Sequence, residues 1–230
     1  MPKKKEDREA LIKQIAREKG LSGTELNQFM AQVKKETGNF KKFEESAYYS
    51  VERMREMFPS KTKGKSDKEL KKISPKYDGS KEKFFDFVYS NRKNLGTGDK
   101  EGSKYYGRGP IQLTGKYNYQ KYKADPAKMD DLRYATEKSV DYFKDITKNV
   151  KNKKDADEYS SKINKYDTGS FDQRKKYFKE YEEEQEKLDI RQAEGNTAFG
   201  NTESFKKLME KRKEEDITIM ERLLNRSRKE

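Results

Sequence analysis

The segment GLSGTELNQFMAQVKKETG, residues 20–38, carries the most regular helical pattern in the chain. Apolar residues recur there at spacings of three and four, which puts on one helix face the side chains of Leu26, Phe29, Met30 and Val33. Ser22 and Glu25 have the spacing of a capping box, and Gly38 is a typical helix stop. Extending the apolar face by three residues leads to Glu36, so a carboxylate ends a face that we expect to be buried.

Helical patterns also extend over much of the remaining chain. The first covers residues 6–19, with Leu11, Ile12 and Ile15 on one side. We find no internal repeat and no series of alternating strands. The sequence therefore predicts a mainly α fold with at most a small β-hairpin. We expect a catalytic domain over residues 1–182 and a charged helical C-terminal extension over residues 183–230.

The amino-acid composition excludes several kinds of catalytic site. The chain has no Cys and no His, which removes disulfides, thiol nucleophiles, Ser-His-Asp arrangements and the commonest metal ligand. Hydrolytic chemistry must then use carboxylates, hydroxyls, amides, Lys or Arg. We expect neither a metal ion nor a cofactor.

The net charge of +13 is unevenly distributed. Residues 183–230 hold 11 Lys/Arg and 12 Asp/Glu, so the excess of positive charge belongs to the first 182 residues. Such a field favours anionic partners, but no nucleic-acid motif accompanies it and we expect no specific nucleic-acid recognition. We also expect no membrane span and no export signal, and therefore synthesis in the cytoplasm.

A second segment, YYGRGPIQLTGKYNY at residues 105–119, differs sharply from its Lys- and Glu-rich surroundings. Gly107 and Gly109 allow the backbone to approach a flat ring closely, and Pro110 stiffens the turn. The amides and hydroxyls that follow offer paired donors and acceptors. The pattern is typical of a loop that binds a polar ligand at close range.

This segment resembles the signature of family 19 glycoside hydrolases, chitinase-like enzymes with a lysozyme-like α fold. Three further segments resemble family segments and follow in the expected order. They are FMAQVKKETGNFKKFEESAYYSVERMREMFPS at 29–60, YSNRKNLGTGD at 89–99 and INKYDTGSFDQRKKYF at 163–178. The resemblance covers residues of about 21 to 182.

The resemblance implies a role for each matching residue. Glu36 matches the general acid, Glu45 the general base, and Thr114 a hydroxyl that helps to place the attacking water. Six further residues match positions that contact substrate or lie near the carboxylates, and we take these as substrate-binding: Arg108, Gln112, Tyr117, Asn118, Asn164 and Arg174. One departure lies in the third segment, where Lys165 and Tyr166 replace the two glycines of many family members.

Elementary electrostatics agrees with the two catalytic roles. On an apolar face Glu36 would be partly desolvated, which disfavours its ionised form and suits a proton donor. Glu45 lies in the polar stretch FEESAYYS, where we expect it to stay ionised and to polarise water. The resemblance implies an inverting mechanism, for which the two carboxyl groups stand roughly 6.5 to 9.5 Å apart.

Chitin and peptidoglycan both contain β-1,4-linked N-acetylglucosamine, and the motifs do not choose between them. The short spacing of the two glutamates, the basic domain and the missing disulfides and export signal favour a peptidoglycan-degrading lysin of the phage type. Such a lysin would be made in the host cytoplasm and act at the bacterial cell wall. The alternatives are a chitinase and a virion structural or binding protein that kept the fold without activity.

The segment from residue 183 onward lies outside the resemblance. Its apolar residues include Met220, Leu223 and Leu224. The segment is either a solvated appendage or a docking helix. A docking helix would bind phage tail or baseplate proteins, or a second copy of the chain, and the lysin would then travel in the virion.

Overall fold

The computed structural model describes residues 4–164 and 167–197 and is predominantly α-helical, as predicted. The described residues contain isolated β-bridges but no β-strand. The α-helices are α1 (Lys5–Glu18), α2 (Gly23–Glu36), α3 (Val51–Met57), α4 (Pro59–Thr62), α5 (Asp67–Lys71), α6 (Lys81–Tyr89), α7 (Lys116–Lys121), α8 (Leu132–Thr147), α9 (Ala156–Asn164) and α10 (Phe171–Thr197). This architecture is consistent with the expected lysozyme-like fold.

Helix α2 is buried along most of its length. The predicted apolar face is confirmed, since the buried residues include Leu26, Phe29, Met30 and Val33. Polar side chains on its other faces are buried as well: Asn27, Gln28 and Gln32. Because α2 is enclosed on more than one side, it holds the residue at its C-terminal end, Glu36, in a fixed position.

The ends of α2 follow the sequence prediction only in part. The predicted capping box is wrong, because the Ser22 side chain makes no capping hydrogen bond. The Glu25 carboxylate instead pairs with Lys153 at 2.7 Å, so a tertiary contact takes the group that the box would have used. At the other end, Gly38 adopts a φ of +56°, the left-handed conformation that ends helices.

Aromatic side chains connect α2 to the helices around it. Phe29 packs edge-on against Phe143 of α8, with ring centroids 5.3 Å apart, and Phe143 stacks on Tyr159 of α9. Helix α1 packs on α8 with Ile12 and Ile15 buried, as the sequence predicts. A second cluster surrounds α6, where the rings of Phe85 and Tyr106 are 3.9 Å apart.

The segment 105–119 begins with a short hairpin and ends in α7. Arg108 and Leu113 exchange two backbone hydrogen bonds around a turn formed by Gly109–Gln112. The preceding chain lies alongside: the Gly109 N–H donates to the Phe43 carbonyl, and the Glu45 N–H donates to the Gly107 carbonyl. This hairpin consists of bridges too short to count as strands, within the limit of at most a small hairpin that the sequence set.

The chain divides into two compact units, with the break between Phe178 and Lys179. Helix α10 runs across this break, and the predicted domain boundary after residue 182 lies within the same helix. The predicted apolar side of the C-terminal extension, including Met220, Leu223 and Leu224, lies outside the described residues. Among the described helices, none combines the length and apolar character required to cross a membrane.

Candidate active site

An open cavity of about 440 Å³ lies between α2, the hairpin, α7, α8 and the end of α9. We call it the groove. Six of the nine predicted site residues line it: Glu36, Glu45, Gln112, Thr114, Asn118 and Asn164. Tertiary folding therefore brings the two proposed catalytic carboxylates to one cavity, together with a hydroxyl group and three amides.

Glu45 is held between the hairpin and α6. The Tyr89 hydroxyl lies 2.8 and 2.7 Å from the two carboxylate oxygens and donates to them, and the Gly107 N–H lies 3.4 Å from Oε2. Burial raises the pKa of the Glu45 carboxyl, while the bonds from Tyr89 and Gly107 and the charge of Arg92 oppose that rise. Glu45 is thus partly buried within its polar stretch, because pairing with the hairpin draws this segment inward.

Glu36 has a charged partner instead of purely apolar surroundings. Its side chain is 19% exposed, and its Oε1 accepts a hydrogen bond of 2.6 Å from Arg174, which is fully buried. Arg174 also donates to Ser170 and Gln32. Glu36 is thus partly buried, as expected, but a buried cation also reaches its carboxylate from α10.

Asp167 is a second carboxylate on the same guanidinium. Its Oδ2 lies 3.3 Å from Arg174 and 3.6 Å from the Lys35 ammonium. Partial burial opposes ionisation of Asp167, but the Ser170 hydroxyl and the charges of Lys35 and Arg174 outweigh it and lower the pKa. Arg174 therefore shares its charge between Glu36 and Asp167.

Three polar side chains converge beside Gly107. A Cβ added there would lie 3.0 Å from Thr114 Oγ1, 3.2 Å from Gln112 Oε1 and 3.4 Å from Glu45 Oε2. The Thr114 hydroxyl donates to the Gln112 carbonyl at 2.8 Å. A water held by Thr114 and Gln112 would therefore lie next to the Glu45 carboxylate, which could accept its proton.

Two asparagines complete the polar lining of the groove. Asn118, in the first turn of α7, donates from Nδ2 to the Thr114 carbonyl at 2.8 Å. Asn164 is the last residue of α9 and lines the groove from the other side. The departure at residues 165 and 166 lies outside the described residues.

The other three predicted residues do not line the groove. Arg108 is buried, donates to the carbonyls of Lys104 and Pro126, and stacks 4.4 Å above the Tyr106 ring. Arg174, also fully buried, reaches the site only through Glu36. Bonds within the protein engage both guanidinium groups, and Arg174 lies beside a proposed catalytic carboxylate. Direct contact of either arginine with substrate stays a prediction.

Tyr117 also lies apart from the groove lining. Its side chain is 60% exposed, and its ring covers Gly96, where an added Cβ would lie 2.7 Å from the ring. A glycine at this position lets the backbone and the ring meet closely. One face of the ring is open to solvent, and its contact with a sugar stays a prediction.

Sequence reasoning missed two tyrosines in the groove. Tyr89 opens the family-like segment YSNRKNLGTGD, so its position in that motif was the available signal. Tyr142 lies within α8 and carries no motif. Tyr142 lines the groove together with Glu36, and burial and the nearby charge of Glu36 raise the pKa of its hydroxyl.

The described residues contain no cluster of Asp and Glu suited to a metal ion. Two carboxyl groups that line one cavity can give a proton to a bound molecule and take one from it. Glu36 and Glu45 reach the groove from different elements and have different partners, which is the requirement for separate acid and base roles.

Comparison with known proteins gives one informative similarity. No protein-family model matches the chain. A curated protein of Haemophilus influenzae (strain ATCC 51907 / DSM 11121 / KW20 / Rd), described as a glycosyl hydrolase family 19 domain-containing protein, is 33% identical over 122 residues. The match covers 50% of this chain and 55% of that protein, so the chain spans about half the length of its relative. The similarity supports a relationship to the family that the motifs resemble.

Proposed function

We propose that this protein is a family 19-type glycoside hydrolase that cleaves β-1,4 bonds between the N-acetylated amino sugars of peptidoglycan. The observation that carries the proposal is the meeting of Glu36 and Glu45 in one groove lined by amide and hydroxyl groups. A pair of carboxyl groups facing one cavity is the minimal apparatus for hydrolysing a glycosidic bond. The similarity to a family 19 domain protein supports the same reaction class.

In the proposed reaction Glu36 gives its proton to the glycosidic oxygen as the bond to the anomeric carbon breaks. A water beside Thr114 and Gln112 attacks that carbon from the opposite face, and Glu45 takes the proton that the water loses. The two fragments leave with one new reducing end of inverted configuration. A second proton exchange with solvent restores both carboxyl groups.

Arg174 has a positioning role in this scheme. It fixes the Glu36 carboxyl by a 2.6 Å bond and stabilises the negative charge that proton donation leaves on it. Because Asp167 also binds the guanidinium, Arg174 keeps one carboxylate partner while Glu36 carries its proton. Glu36 can therefore change its protonation state without leaving a buried cation unpaired.

Two features favour peptidoglycan over chitin as the substrate. Glu36 and Glu45 are separated by only a short segment, the spacing expected for compact bacterial-type members. The domain that carries the groove is strongly basic, which suits an anionic cell wall. We therefore infer a lysin of the phage type that acts at the bacterial cell wall, made in the host cytoplasm and either released or carried in the virion.

The test is digestion of purified peptidoglycan and of chitin oligomers, with products identified by mass spectrometry and the anomeric configuration followed by NMR. We expect new reducing ends of inverted configuration from peptidoglycan with the wild type and none with Glu36→Gln or Glu45→Gln. The matched control is Glu56→Gln, since the Glu56 carboxylate pairs with Arg53 at the surface and does not line the groove. Cleavage of chitin alone would make the protein a chitinase, and no cleavage of either would favour a binding role.

Two chemical rescues separate the acid from the base. Glu36→Gln should regain activity on an aryl glycoside whose leaving group needs no proton. Glu45→Gln should regain activity with azide, which attacks the anomeric carbon without losing a proton. Rescue in the opposite pairing would reverse the two roles.

A further inference from the structure

A second cavity, of about 710 Å³, adjoins the groove at Glu45. Residues 41–48 form one wall of it, and Lys81, Met129 and Asp130 form the other. We call it the side pocket. Because Glu45 lines both cavities, a sugar bound next to Glu45 has the side pocket within reach of its substituents.

The ammonium groups of Lys41 and Lys42 are available to a ligand. Both side chains are exposed, and neither has an ion pair with any residue that the structure describes. Lys81, the third lysine of the pocket, is neutralised by Glu44 at 2.6 Å. The side pocket therefore offers to an anionic group two ammonium groups that have no ion pair with a described residue.

The backbone that carries these lysines is held firmly. The N–H groups of Lys41 and Lys42 both donate to the Thr37 carbonyl, at 3.1 and 2.9 Å. Phe40, directly before them, is fully buried at a φ of +60°, and the next residue, Phe43, is tied to the hairpin. A backbone fixed on both sides loses little freedom when the lysines bind a ligand.

Groups of other chemistry complete the side pocket. The Tyr48 ring is 68% exposed beside it, and Met129 supplies an apolar surface. The Asp130 carboxylate has no hydrogen bond or ion pair with a described residue and can accept an ammonium group. A ligand that fits would combine carboxylates, alkyl groups and an amine, as a short peptide of acidic and diamino residues does.

We propose that the side pocket binds the peptide that branches from a peptidoglycan strand, with Lys41 and Lys42 on its carboxylates. This inference rests on the proposed function, because it needs a glycan strand in the groove. It deepens that function by giving a physical basis for choosing peptidoglycan over chitin, whose sugars carry no peptide. The side pocket then contributes to substrate affinity, while the reaction takes place in the groove.

The kinetic test compares glycan strands that carry their peptides with the same strands stripped by an amidase. We expect the wild type to have a KM about fivefold lower on the peptide-bearing strands, the size of exposed charge contacts. Lys41→Gln/Lys42→Gln should bring the KM for the peptide-bearing strands up to that for the stripped strands. An equal KM for both strands in the wild type would overturn the proposal.

A matched double variant separates specific binding from general charge attraction. Lys68→Gln/Lys72→Gln removes the same charge from two exposed lysines that line neither cavity. It should keep the wild-type ratio of the two KM values. If the ratio of the two KM values falls equally in both double variants, the net charge of the domain, and not the side pocket, holds the peptide.

A binding measurement shows whether the side pocket binds the peptide even if the protein cleaves no strand. Titration of the full-length Glu36→Gln protein with a disaccharide peptide, and with the same disaccharide lacking its peptide, should show tighter binding of the first by calorimetry. Equal affinity would overturn the side-pocket proposal. Failure of hydrolysis with retained peptide binding would overturn the proposed reaction alone.

Discussion

At the scale of single residues, Glu45 shows how burial and hydrogen bonding oppose each other. Burial raises the pKa of its carboxyl, and the Tyr89 hydroxyl is the foremost of the groups that hold it down. A general base has to be ionised to accept a proton from water. The pH range of the reaction should therefore depend on Tyr89.

Tyr89→Phe removes that hydroxyl and leaves the ring against Phe85. The pKa of Glu45 should rise further, because burial stays and a bond to the carboxylate is lost. Since Glu45 must be ionised, the rising limb of kcat/KM should move to higher pH, and kcat/KM near neutrality should fall about tenfold or less. The measurement is the pH profile, with the Glu45 carboxyl followed by carbon NMR in parallel.

The matched control is Tyr49→Phe. Tyr49 packs in the same aromatic cluster, but its hydroxyl makes no hydrogen bond to Glu45. This variant should leave the rising limb where it is in the wild type. An unmoved limb in Tyr89→Phe would show that Tyr89 does not set the ionisation of Glu45.

Arg174 is a residue whose loss should affect stability as well as activity. Arg174→Met removes a fully buried cation from Glu36 and Asp167, and leaves their carboxylates without it. Breaking a buried pair in this way costs about 3 to 5 kcal/mol. Urea unfolding of the wild type and the variant measures the change.

A surface arginine provides the comparison. Arg133 pairs with Glu18 at 2.8 Å, and both side chains are nearly half exposed. Arg133→Met should leave the free energy of unfolding nearly unchanged, because solvent screens this pair. A similar decrease in the free energy of unfolding in both variants would mean that burial does not distinguish the two ion pairs.

At the scale of elements, the hairpin contains one glycine that serves the site and another that serves the fold. Gly107 and Gly109 are two residues apart but have different neighbours. Gly107 faces polar atoms of the groove, whereas Gly109 has a φ of +81° and faces Ala135 of α8. One glycine leaves space in the site, and the other allows a left-handed turn against a helix.

We therefore expect one alanine substitution to lower activity and the other to lower stability. Gly107→Ala would crowd Thr114, Gln112 and Glu45 and lower kcat/KM by about tenfold to hundredfold, with little loss of stability. Gly109→Ala would strain the turn and lower the free energy of unfolding by about 1 to 2 kcal/mol. Kinetics and urea unfolding of both variants check this pair of predictions. Unchanged kinetics in Gly107→Ala would contradict the convergence of the three side chains on the water.

At the scale of the whole molecule, the break after Phe178 bears on the role of the C-terminal extension. Every residue that lines the groove or the side pocket precedes that break. A chain that ends at residue 182 should therefore fold and hydrolyse peptidoglycan at the wild-type rate. Circular dichroism and the digestion assay test this, and lost activity with an intact helical signal would give the extension a direct part in catalysis.

The sequence by itself determined the helical class, the apolar face of α2 and six of the residues that line the groove. Each of these follows from local spacing or from a motif. The lack of Cys and His also limited the chemistry to carboxylates and other polar groups. Local patterns are readable because a helix places neighbours three and four residues apart on one face.

Only the tertiary structure decided the surroundings of the two carboxylates. Tyr89 is 44 positions from Glu45, and Arg174 is 138 positions from Glu36. Charge, burial and hydrogen bonding at a carboxyl depend on such distant partners, which no local spacing reveals. For the same reason Glu36, expected at the end of an apolar face, forms an ion pair with Arg174, and Glu45, expected in a polar stretch, is partly buried and bonded to Tyr89.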